Sequence, residues 1–236
     1  MKQLLPLDHP YQDRPHRLYV TLTNYCNRAC PWCSTYSSPA GSTFLSFETF
    51  LSSIPKNGFF EIQLEGGEPT LHPDFWKFVN FAREARRCQL LVVCSNGTVL
   101  PRQEIRLRDW LKKFDMPITI KLSINHYLLE HDEELLRLAL LLKQLMPEVR
   151  PENKLILNVR LRKGSYKDDQ HVVDHIEKMG LMAESNIFFL QAYGLASEEN
   201  WEKPYLVGSN FRIINPDGRI FGPELIARSE AMREMA

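Results

Sequence analysis

The chain lacks an excess of charge of either sign, since its 236 residues include 29 Lys plus Arg and 29 Asp plus Glu. General nucleic-acid binders and polybasic membrane binders usually carry a positive excess, so neither class of partner is expected. Long apolar runs are also missing. Arg137 and Lys143 interrupt the longest candidate, 135–146, so no membrane-spanning helix is predicted. Residues 1–17 hold no apolar stretch of signal-peptide length, and a cytoplasmic location is the expectation.

Cysteine is scarce and unevenly placed. Of the five cysteines, Cys26, Cys30 and Cys33 lie close together, whereas Cys88 and Cys94 stand apart. A disulfide framework is not expected in a chain of this length without a secretion signal. Because a free cysteine in apolar surroundings behaves as a small hydrophobe, packing roles are predicted for Cys88 and Cys94. The group of three needs another explanation.

Apolar stretches typical of strands alternate with helical patterns along most of the chain. The predicted strands are 17–23, 60–64, 89–94, 118–124, 155–161 and 187–191, and the predicted helices are 47–54, 73–87, 103–113, 133–146 and 168–179. Such repetition implies an α/β fold with a parallel sheet, either partly closed into a barrel or open and doubly wound. In both arrangements, chemistry gathers at the C-terminal ends of the strands.

Local signals add boundaries to this pattern. Ser46 is the predicted N-cap of helix 47–54, and Pro147 is predicted to end helix 133–146. Asn-Pro-Asp-Gly at 215–218, between FRII and RIF, predicts a hairpin. Three segments are expected. They are an N-terminal extension over 1–14, a main domain over 15–195 and a C-terminal tail with the hairpin over 196–236.

The three clustered cysteines belong to the segment TNYCNRACPWC at 23–33. Three thiolates on a tight loop can bind one soft metal centre. A structural zinc site needs four ligands, and this loop offers no fourth Cys or His. Three cysteines suit a cubane iron–sulfur cluster with one iron left open. The alternative, three buried cysteines without a cofactor, is disfavoured by their close spacing outside any predicted helix.

The spacing Cys-x-x-x-Cys-x-x-Cys, with Trp32 just before the last cysteine, resembles the signature of the radical S-adenosylmethionine (radical SAM) enzymes. The resemblance continues in order through LEGGEPTL at 64–71, SNG at 95–97 and KLSIN at 121–125. The cysteine segment is similar to the branch with molybdopterin-cofactor and peptide-maturase members. The resemblance covers about residues 15–195 and implies a partial (β/α)6 TIM-like barrel with a short C-terminal extension.

Site residues follow from this resemblance. It implies that Cys26, Cys30 and Cys33 bind three irons of one [4Fe–4S] cluster, whose fourth iron chelates the amino and carboxylate groups of SAM. Trp32 is expected to pack near the adenine. Because the cluster and SAM supply the difficult chemistry, the protein is expected to supply orientation and shielding from water and oxygen.

A ledge for the methionyl amino group is implied at Gly66, Gly67 and Glu68. Glycines let backbone carbonyls approach an ammonium closely, and a carboxylate supplies the opposite charge. Further polar residues are expected to contact SAM, and all lie near predicted strand ends, where polar residues are also common without any ligand. They are Ser95, Ser123, Asn125, Asn158, Arg160 and Gln191.

The chain departs from the branch in its C-terminal part. Many members add a cysteine-rich extension with further clusters, and the phrase at 214–221 resembles the hairpin that opens it. Here Gly222 and Pro223 follow, and no cysteine occurs after Cys94, so no auxiliary cluster is predicted. This favours redox-neutral chemistry, or return of the hydrogen atom, over oxidative crosslinking.

Two histidine sites leave alternatives open. His126 stands where the family pattern has a small turn residue, and it either reaches toward the substrate or has a structural role in a loop. His171 and His175 are four apart on a predicted helix and could share one face. No carboxylate or third histidine completes a zinc triad there, so a solvated helix face is the preferred interpretation.

The resemblance implies an enzyme that reductively cleaves SAM to a 5′-deoxyadenosyl radical, which abstracts a hydrogen atom from a small-molecule biosynthetic intermediate. Rearrangement, elimination, decarboxylation and epimerisation all stay open as outcomes. Modification of a ribosomal peptide or protein is the alternative, and a non-catalytic Fe–S or zinc-binding partner module is a weaker one. The expected cofactors are one [4Fe–4S] cluster and SAM. An external electron donor such as flavodoxin or ferredoxin is the expected protein partner.

Overall fold

The computed structural model describes residues 16–198, 211–222 and 225–236. The predicted extension over 1–14 therefore lies outside the described residues. The chain divides into two compact units. The first comprises residues up to 93 together with those from 191 onward, and the second comprises residues 94–190. No helix of the described ranges is long and apolar enough to cross a membrane.

Eight strands and seven α-helices occur in the described residues, and strands alternate with helices through most of the chain. The strands are β1 (His16–Thr21), β2 (Phe60–Glu65), β3 (Cys88–Ser95), β4 (Ile118–Ile124), β5 (Lys154–Leu161), β6 (Ser185–Phe189), β7 (Phe211–Ile214) and β8 (Ile220–Phe221). The helices are α1 (Phe47–Ser53), α2 (Phe75–Glu84), α3 (Glu104–Lys112), α4 (His126–His131), α5 (Leu135–Val149), α6 (Lys167–Lys178) and α7 (Leu225–Arg233).

In the first unit, β1 pairs in parallel with β2 on one side and with β7 on the other, and β2 pairs in parallel with β3. Burial alternates along β1, where Leu18 and Val20 are fully buried. The rings of Phe50 in α1 and Phe78 in α2 meet edge to face at 5.0 Å. Because β1 and β2 are parallel and in register, the loops that follow them leave from the same edge of the sheet.

In the second unit, β4 pairs in parallel with β5, and β5 with β6. Ile120, Leu122 and Leu157 on one face of these strands are fully buried. Of the alternate positions, Ser123 and Asn158 are half-buried and polar. One face of these strands is therefore apolar core, and polar side chains lie on the other.

The parallel α/β organisation and the N-cap at Ser46 are confirmed, since the Ser46 hydroxyl accepts a hydrogen bond from the Thr49 amide at 3.1 Å. The prediction that Pro147 ends its helix is wrong, because α5 continues to Val149 with Pro147 inside it. A proline removes only its own amide donor, and this one lies in the last turn. The Arg150 amide still donates to the Met146 carbonyl at 3.1 Å.

The sixth strand begins and ends two residues earlier than predicted, at Ser185 and Phe189 rather than 187 and 191. Its register explains the difference, because Phe189 pairs with Leu161, the last residue of β5. Because β5 ends at Leu161, β6 has no strand partner beyond Phe189. Gln191 consequently follows the strand instead of ending it.

The hairpin at 215–218 is confirmed. β7 and β8 pair antiparallel, and the Asn215 amide donates to the Arg219 carbonyl at 2.9 Å across the turn. Gly218 has φ +85°, a left-handed conformation that favours glycine. The hairpin is also joined to the main sheet, since β7 lies in parallel beside β1. This part of the predicted tail therefore extends the sheet of the first unit.

Candidate functional site

The cysteine loop follows β1 and is held by backbone hydrogen bonds. The Leu22 amide donates to the Glu65 carbonyl at 2.8 Å, which fixes the start of the loop to the end of β2. Within the loop, the Cys26 amide donates to Ser38 at 3.0 Å, and the Cys33 amide donates to Cys30 at 3.1 Å. Hydrogen bonds within the chain therefore fix the backbone that carries the three cysteines.

The three thiols lie near one another in a partly buried setting. Cys26 is buried, and Cys30 and Cys33 are half-buried. Burial raises the pKa of the Cys30 thiol to about 12, and the nearby Cys33 and Cys26 add to this shift. Loading a metal must therefore release a proton from Cys30, because only the thiolate is a ligand.

Hydroxyl and amide groups also surround the Cys33 sulfur. The Ser37 amide donates to the Cys33 Sγ at 3.3 Å, and the Thr35 Oγ1 lies 3.4 Å from the same atom. The Ser37 amide therefore helps to fix the position of the Cys33 sulfur. Sequence reasoning missed Thr35 and Ser37, although their position just after the last cysteine was a usable signal.

The donor set fits a cluster better than a single ion. Within the described residues, no group of three or more His, Cys, Asp or Glu side chains is arranged to hold one metal ion. A cubane cluster instead takes one thiolate on each of several irons. Three neighbouring cysteines that do not converge on one point are compatible with this requirement.

The Gly66-Gly67-Glu68 turn after β2 packs directly on the cysteine loop. The Gly67 amide donates to the Thr23 carbonyl at 2.7 Å, and the Glu68 amide donates to the Tyr25 carbonyl at 2.9 Å. A Cβ at Gly67 would lie 2.0 Å from the Tyr25 oxygen, which is far inside contact distance. Gly66 has φ +134°, which also favours glycine. The structure therefore brings the two predicted motifs together.

The Glu68 side chain is fully buried and caps the short 3-10 turn Pro69–Leu71. Its Oε1 accepts hydrogen bonds from the Thr70 hydroxyl at 2.6 Å and the Thr70 amide at 3.4 Å. The predicted ledge carboxylate thus has a structural role in fixing its own turn. A buried carboxylate held in this way has a defined orientation.

Trp32 and Gln191 also belong to the first unit. Trp32 is half-buried in the cysteine loop. Gln191 is half-buried, and its carbonyl accepts from the Tyr193 amide at 2.8 Å. The Leu195 amide then donates to the Cys33 carbonyl at 3.0 Å. The segment that begins at Gln191 therefore reaches the third cysteine within four residues.

Two candidates of the second unit organise the local backbone. The Ser95 hydroxyl accepts from the Gly97 amide at 2.9 Å, and the residue is 2% exposed. Asn125 is the N-cap of α4, where its Oδ1 accepts from the Leu128 amide at 2.9 Å. Both side chains therefore have a structural role at a strand end, and their contact with SAM stays a prediction.

The other candidates of the second unit share one face of its strands. Ser123 is the register partner of Asn158, and Arg160 is the register partner of Phe188. Asn158 and Arg160 are two residues apart, so they point to the same side. The Arg160 guanidinium lies 4.8 Å from the centre of the Phe188 ring, a cation–π contact. The structure thus brings Ser123, Asn158 and Arg160 to one face.

His126 has the structural partner that the sequence left open. Its Nδ1 lies 2.9 Å from the Asp169 Oδ1, and both side chains are largely buried. Asp169 also accepts from the Arg162 backbone amide at 2.7 Å. This arrangement links the start of α4 to the start of α6 and supports the structural interpretation of His126.

The His171–His175 pair and the isolated cysteines form no further site among the described side chains. Both histidines are exposed on α6, and the His175 Nδ1 donates to the His171 carbonyl at 2.9 Å. Cys88 and Cys94 are half-buried, so neither is the fully buried hydrophobe that packing alone would give. Burial raises the pKa of the Cys88 thiol to about 12.

Comparison with curated proteins finds partial relatives. GTP 3′,8-cyclase of Aeromonas hydrophila is 29% identical over 124 residues, which cover 48% of this chain and 34% of that protein. Mycofactocin maturase MftC of Mycobacterium ulcerans is 33% identical over 73 residues, covering 30% of this chain and 20% of that protein. The chain thus spans about a third, or less, of the length of these relatives.

Solved structures match over more of the chain. Streptococcus suis SuiB bound to S-adenosylmethionine gives a TM-score of 0.56 at 16% identity, covering 88% of this chain and 60% of that one. SuiB bound to the precursor peptide SuiA gives 0.56 at 18% identity, with coverages of 92% and 51%. These likenesses confirm the predicted partial-barrel α/β fold.

The Radical SAM superfamily model matches residues 20–145, more than half of the chain, including the cysteine loop and the Gly66-Gly67-Glu68 turn. Members of this superfamily are enzymes whose cofactors are a [4Fe–4S] cluster and SAM, in agreement with the prediction. The family match, the fold and the joined motifs lead to one assignment: the chain belongs to the radical SAM superfamily.

Proposed function

We propose that this protein reductively cleaves SAM at one [4Fe–4S] cluster bound by Cys26, Cys30 and Cys33, and abstracts a hydrogen atom from a small-molecule biosynthetic intermediate. The observation that carries the proposal is the close packing of the glycine turn on the cysteine loop. A Cβ at Gly67 would lie 2.0 Å from the Tyr25 oxygen and 3.1 Å from the Cys26 Cβ. A simple metal-binding loop would not require such a turn beside its first cysteine.

When bound, the cluster and SAM would supply the electron transfer and the 5′-deoxyadenosyl radical. The chain's own residues would bind and orient these groups. The three cysteines would act as thiolates, and the Ser37 amide would hold the Cys33 sulfur in position. Half-burial of the loop would limit the access of water to the reacting atoms.

The Gly66-Gly67-Glu68 turn would receive the methionyl ammonium. The Gly66 carbonyl accepts from the Thr35 hydroxyl at 3.3 Å, so the ledge is tied to the cysteine loop by a side chain as well as by backbone. The Glu68 carboxylate would supply negative charge in a buried environment, where charge interactions are stronger than in water. Trp32 and Gln191 are the proposed neighbours of the adenine.

A small-molecule substrate is supported by the similarity to GTP 3′,8-cyclase, which is named for a nucleotide. The proposed chemistry is redox-neutral: rearrangement, elimination, decarboxylation or epimerisation. An external one-electron donor such as flavodoxin or ferredoxin would reduce the cluster.

A peptide substrate is the second candidate, and two comparisons favour it. MftC is named a mycofactocin maturase, and SuiB has been solved with its precursor peptide. GTP 3′,8-cyclase, in contrast, is named for a nucleotide. The relatives therefore represent both substrate classes, and the experiment must separate them.

The proposed chemistry is tested on protein purified and reconstituted without oxygen. About four irons per chain, and 5′-deoxyadenosine formation on addition of dithionite and SAM, are expected. The Cys30→Ala variant is the negative control. Iron loading without any 5′-deoxyadenosine would contradict the enzyme proposal and support the partner-module alternative.

The substrate class is tested with a cell ultrafiltrate, untreated or digested with protease. A small-molecule substrate should stimulate 5′-deoxyadenosine formation above the substrate-free rate equally in both samples. Loss of this stimulation after digestion would contradict the small-molecule proposal and identify a peptide substrate.

A further inference from the structure

The C-terminal helix α7 buries polar side chains, which simple packing would not require. Leu225 packs with Phe211 and Ile213 in an apolar cluster, as expected for a helix lying on a sheet. Arg228 and Ser229, however, are 5% and 7% exposed. Arginine is almost never buried unless it is paired, so this face of α7 has a more specific role than covering the sheet.

Arg228 is bonded to the ends of both strands that lead into the predicted site. Its Nη2 donates to the Thr21 hydroxyl at 2.8 Å and to the Glu65 carboxylate at 3.1 Å, and its Nε donates to the Asn215 Oδ1 at 3.2 Å. Thr21 is the last residue of β1, before the cysteine loop, and Glu65 directly precedes Gly66. One buried guanidinium therefore joins the starting points of both motifs.

Ser229 connects α7 to the third cysteine. Its hydroxyl accepts from the Gly194 amide at 2.9 Å. A Cβ at Gly194 would lie 2.5 Å from the Cys33 carbonyl oxygen, so Gly194 rests directly on the cysteine backbone. The Tyr36 hydroxyl donates to the Gly194 carbonyl at 3.1 Å. Gly194 is therefore held by Tyr36 as well as by Ser229.

A third connection reaches the start of the cysteine loop. The Asn24 Nδ2 donates to the Met235 carbonyl at 2.7 Å, just beyond the end of α7. The Asn24 Oδ1 accepts from the Thr43 amide at 2.9 Å, so this side chain also closes the loop on itself. The chain thus binds the loop from its C-terminal segment near the first cysteine, at the last cysteine and at the glycine turn.

We propose that α7 positions the cysteine loop and the glycine turn for the cluster and SAM, with Arg228 as its principal positioning residue. In the sequence, α7 follows the hairpin of β7 and β8. Its hydrogen bonds hold the backbone of the cysteine loop and of the glycine turn. The proposal rests on the proposed function for what is positioned, but the contacts themselves involve no cofactor.

The test begins with the metal-free protein, in which alkylation by iodoacetamide is followed at each cysteine by mass spectrometry. Arg228→Met should raise the alkylation rate of Cys33 by about tenfold, because breaking a buried pair frees the loop to open locally. Arg233→Met, an exposed arginine on the same helix, should leave the rate unchanged. Arg228→Lys keeps the charge and should stay within about threefold of wild type.

Cys88 serves as the internal control because it lies in β3, outside the cysteine loop. General unfolding would expose Cys33 and Cys88 together, whereas release of the loop would expose Cys33 alone. Equal acceleration of alkylation at Cys33 and Cys88 would show that α7 only stabilises the fold in general, and would overturn the proposal. Cys33 rates that are the same in Arg228→Met and Arg233→Met would overturn it as well.

Ser229→Ala covers the case in which Arg228→Met does not fold. It removes one neutral hydrogen bond and should raise Cys33 alkylation by about threefold without affecting Cys88. An unchanged rate in that case would overturn the proposal. In reconstituted protein, Arg228→Met should bind about four irons but bind SAM about tenfold more weakly than Arg233→Met. The alkylation result stands whether or not SAM cleavage is observed, so the two proposals fail independently.

Discussion

The two units of this chain place their candidate residues in different ways. In the first, the cysteine loop and the glycine turn are joined backbone to backbone, with the Gly67 amide 2.7 Å from the Thr23 carbonyl. In the second, Ser123, Asn158 and Arg160 are side chains on one face of the strands, and Arg160 lies over the ring of Phe188. One set is fixed by main-chain contact and the other by strand register.

This difference predicts how each region responds to substitution. A backbone contact at 2.0 Å from a missing Cβ leaves no room for any side chain. A side chain on a half-exposed strand face can be shortened or neutralised without moving its neighbours. Substitutions at the Gly67 backbone contact should therefore act strongly, whereas those at Ser123, Asn158 or Arg160 should act in proportion to the one interaction removed.

The largest effect is expected at the cluster cysteines. Alanine at Cys26, Cys30 or Cys33 should abolish the cluster and all SAM cleavage, because in the proposed site each thiolate would hold a different iron. Iron analysis and 5′-deoxyadenosine measurement check this. Alanine at Cys88 or Cys94 should leave iron content intact, and iron loss in those variants would mean that the cluster ligands are wrongly assigned.

The next largest effect is expected from Gly67→Val. The added carbons would collide with the Tyr25 carbonyl and the Cys26 Cβ, so the turn and the loop must separate. Binding measurements should show SAM affinity reduced by at least about 100-fold, which is roughly 3 kcal/mol. The structure also predicts reduced iron loading, since the displaced atoms include those of Cys26.

Gly180→Ala is the matched control for Gly67→Val. A Cβ at Gly180 would meet nothing within 4 Å, although φ is +67° there. Its only expected cost is about 1 kcal/mol of backbone strain, seen in thermal unfolding and not in SAM binding. Similar losses of SAM affinity in the two variants would contradict a specific requirement for the Gly67 contact in SAM binding.

The motifs of the first unit could be predicted from sequence because each is short and local. Three cysteines at fixed spacing, and Gly66-Gly67-Glu68 after a strand, are readable from adjacent residues. Their mutual contact follows from two parallel strands whose loops leave the same edge. Local residue spacing and strand direction therefore predict that the cysteine loop and the glycine turn lie together.

The role of Arg228 could not be predicted in this way. It bonds to Thr21 across 207 residues of sequence, and no local pattern distinguishes it from an exposed arginine. Asn125 shows a related limit, since it was predicted as a ligand group and caps a helix. The family resemblance identifies a position, but only the surrounding contacts show which structural role the side chain also has.

A smaller effect is expected from Arg160→Met in the second unit. If Arg160 pairs with the methionyl carboxylate, as the resemblance implies, removing its charge should weaken SAM binding roughly tenfold at unchanged iron content. Arg137→Met, on the exposed surface of α5, is the control. Equal SAM affinity in both variants would limit Arg160 to its contact with Phe188.

The smallest effect is expected at His72, which lies outside both the cysteine loop and the Gly66-Gly67-Glu68 turn. His72 is 5% exposed, its Nε2 donates to the Leu45 carbonyl at 3.2 Å, and its Nδ1 accepts from the Asp74 amide at 3.0 Å. Burial lowers the pKa of His72 below its ordinary value of 6.5, despite the opposing influence of Leu45 and Asp74. The ring is therefore neutral in the folded protein at neutral pH.

Because the unfolded chain binds this proton more readily, the free energy of unfolding should fall as the pH drops below about 6.5, by at most about 1.4 kcal/mol per pH unit. Urea unfolding between about pH 5 and pH 8 measures this slope. His72→Gln should lower stability at neutral pH but flatten the slope, whereas His175→Gln, at an exposed position, should change neither. Equal slopes in wild type and His72→Gln would show that the pH dependence of folding arises elsewhere, and that this buried histidine serves packing alone.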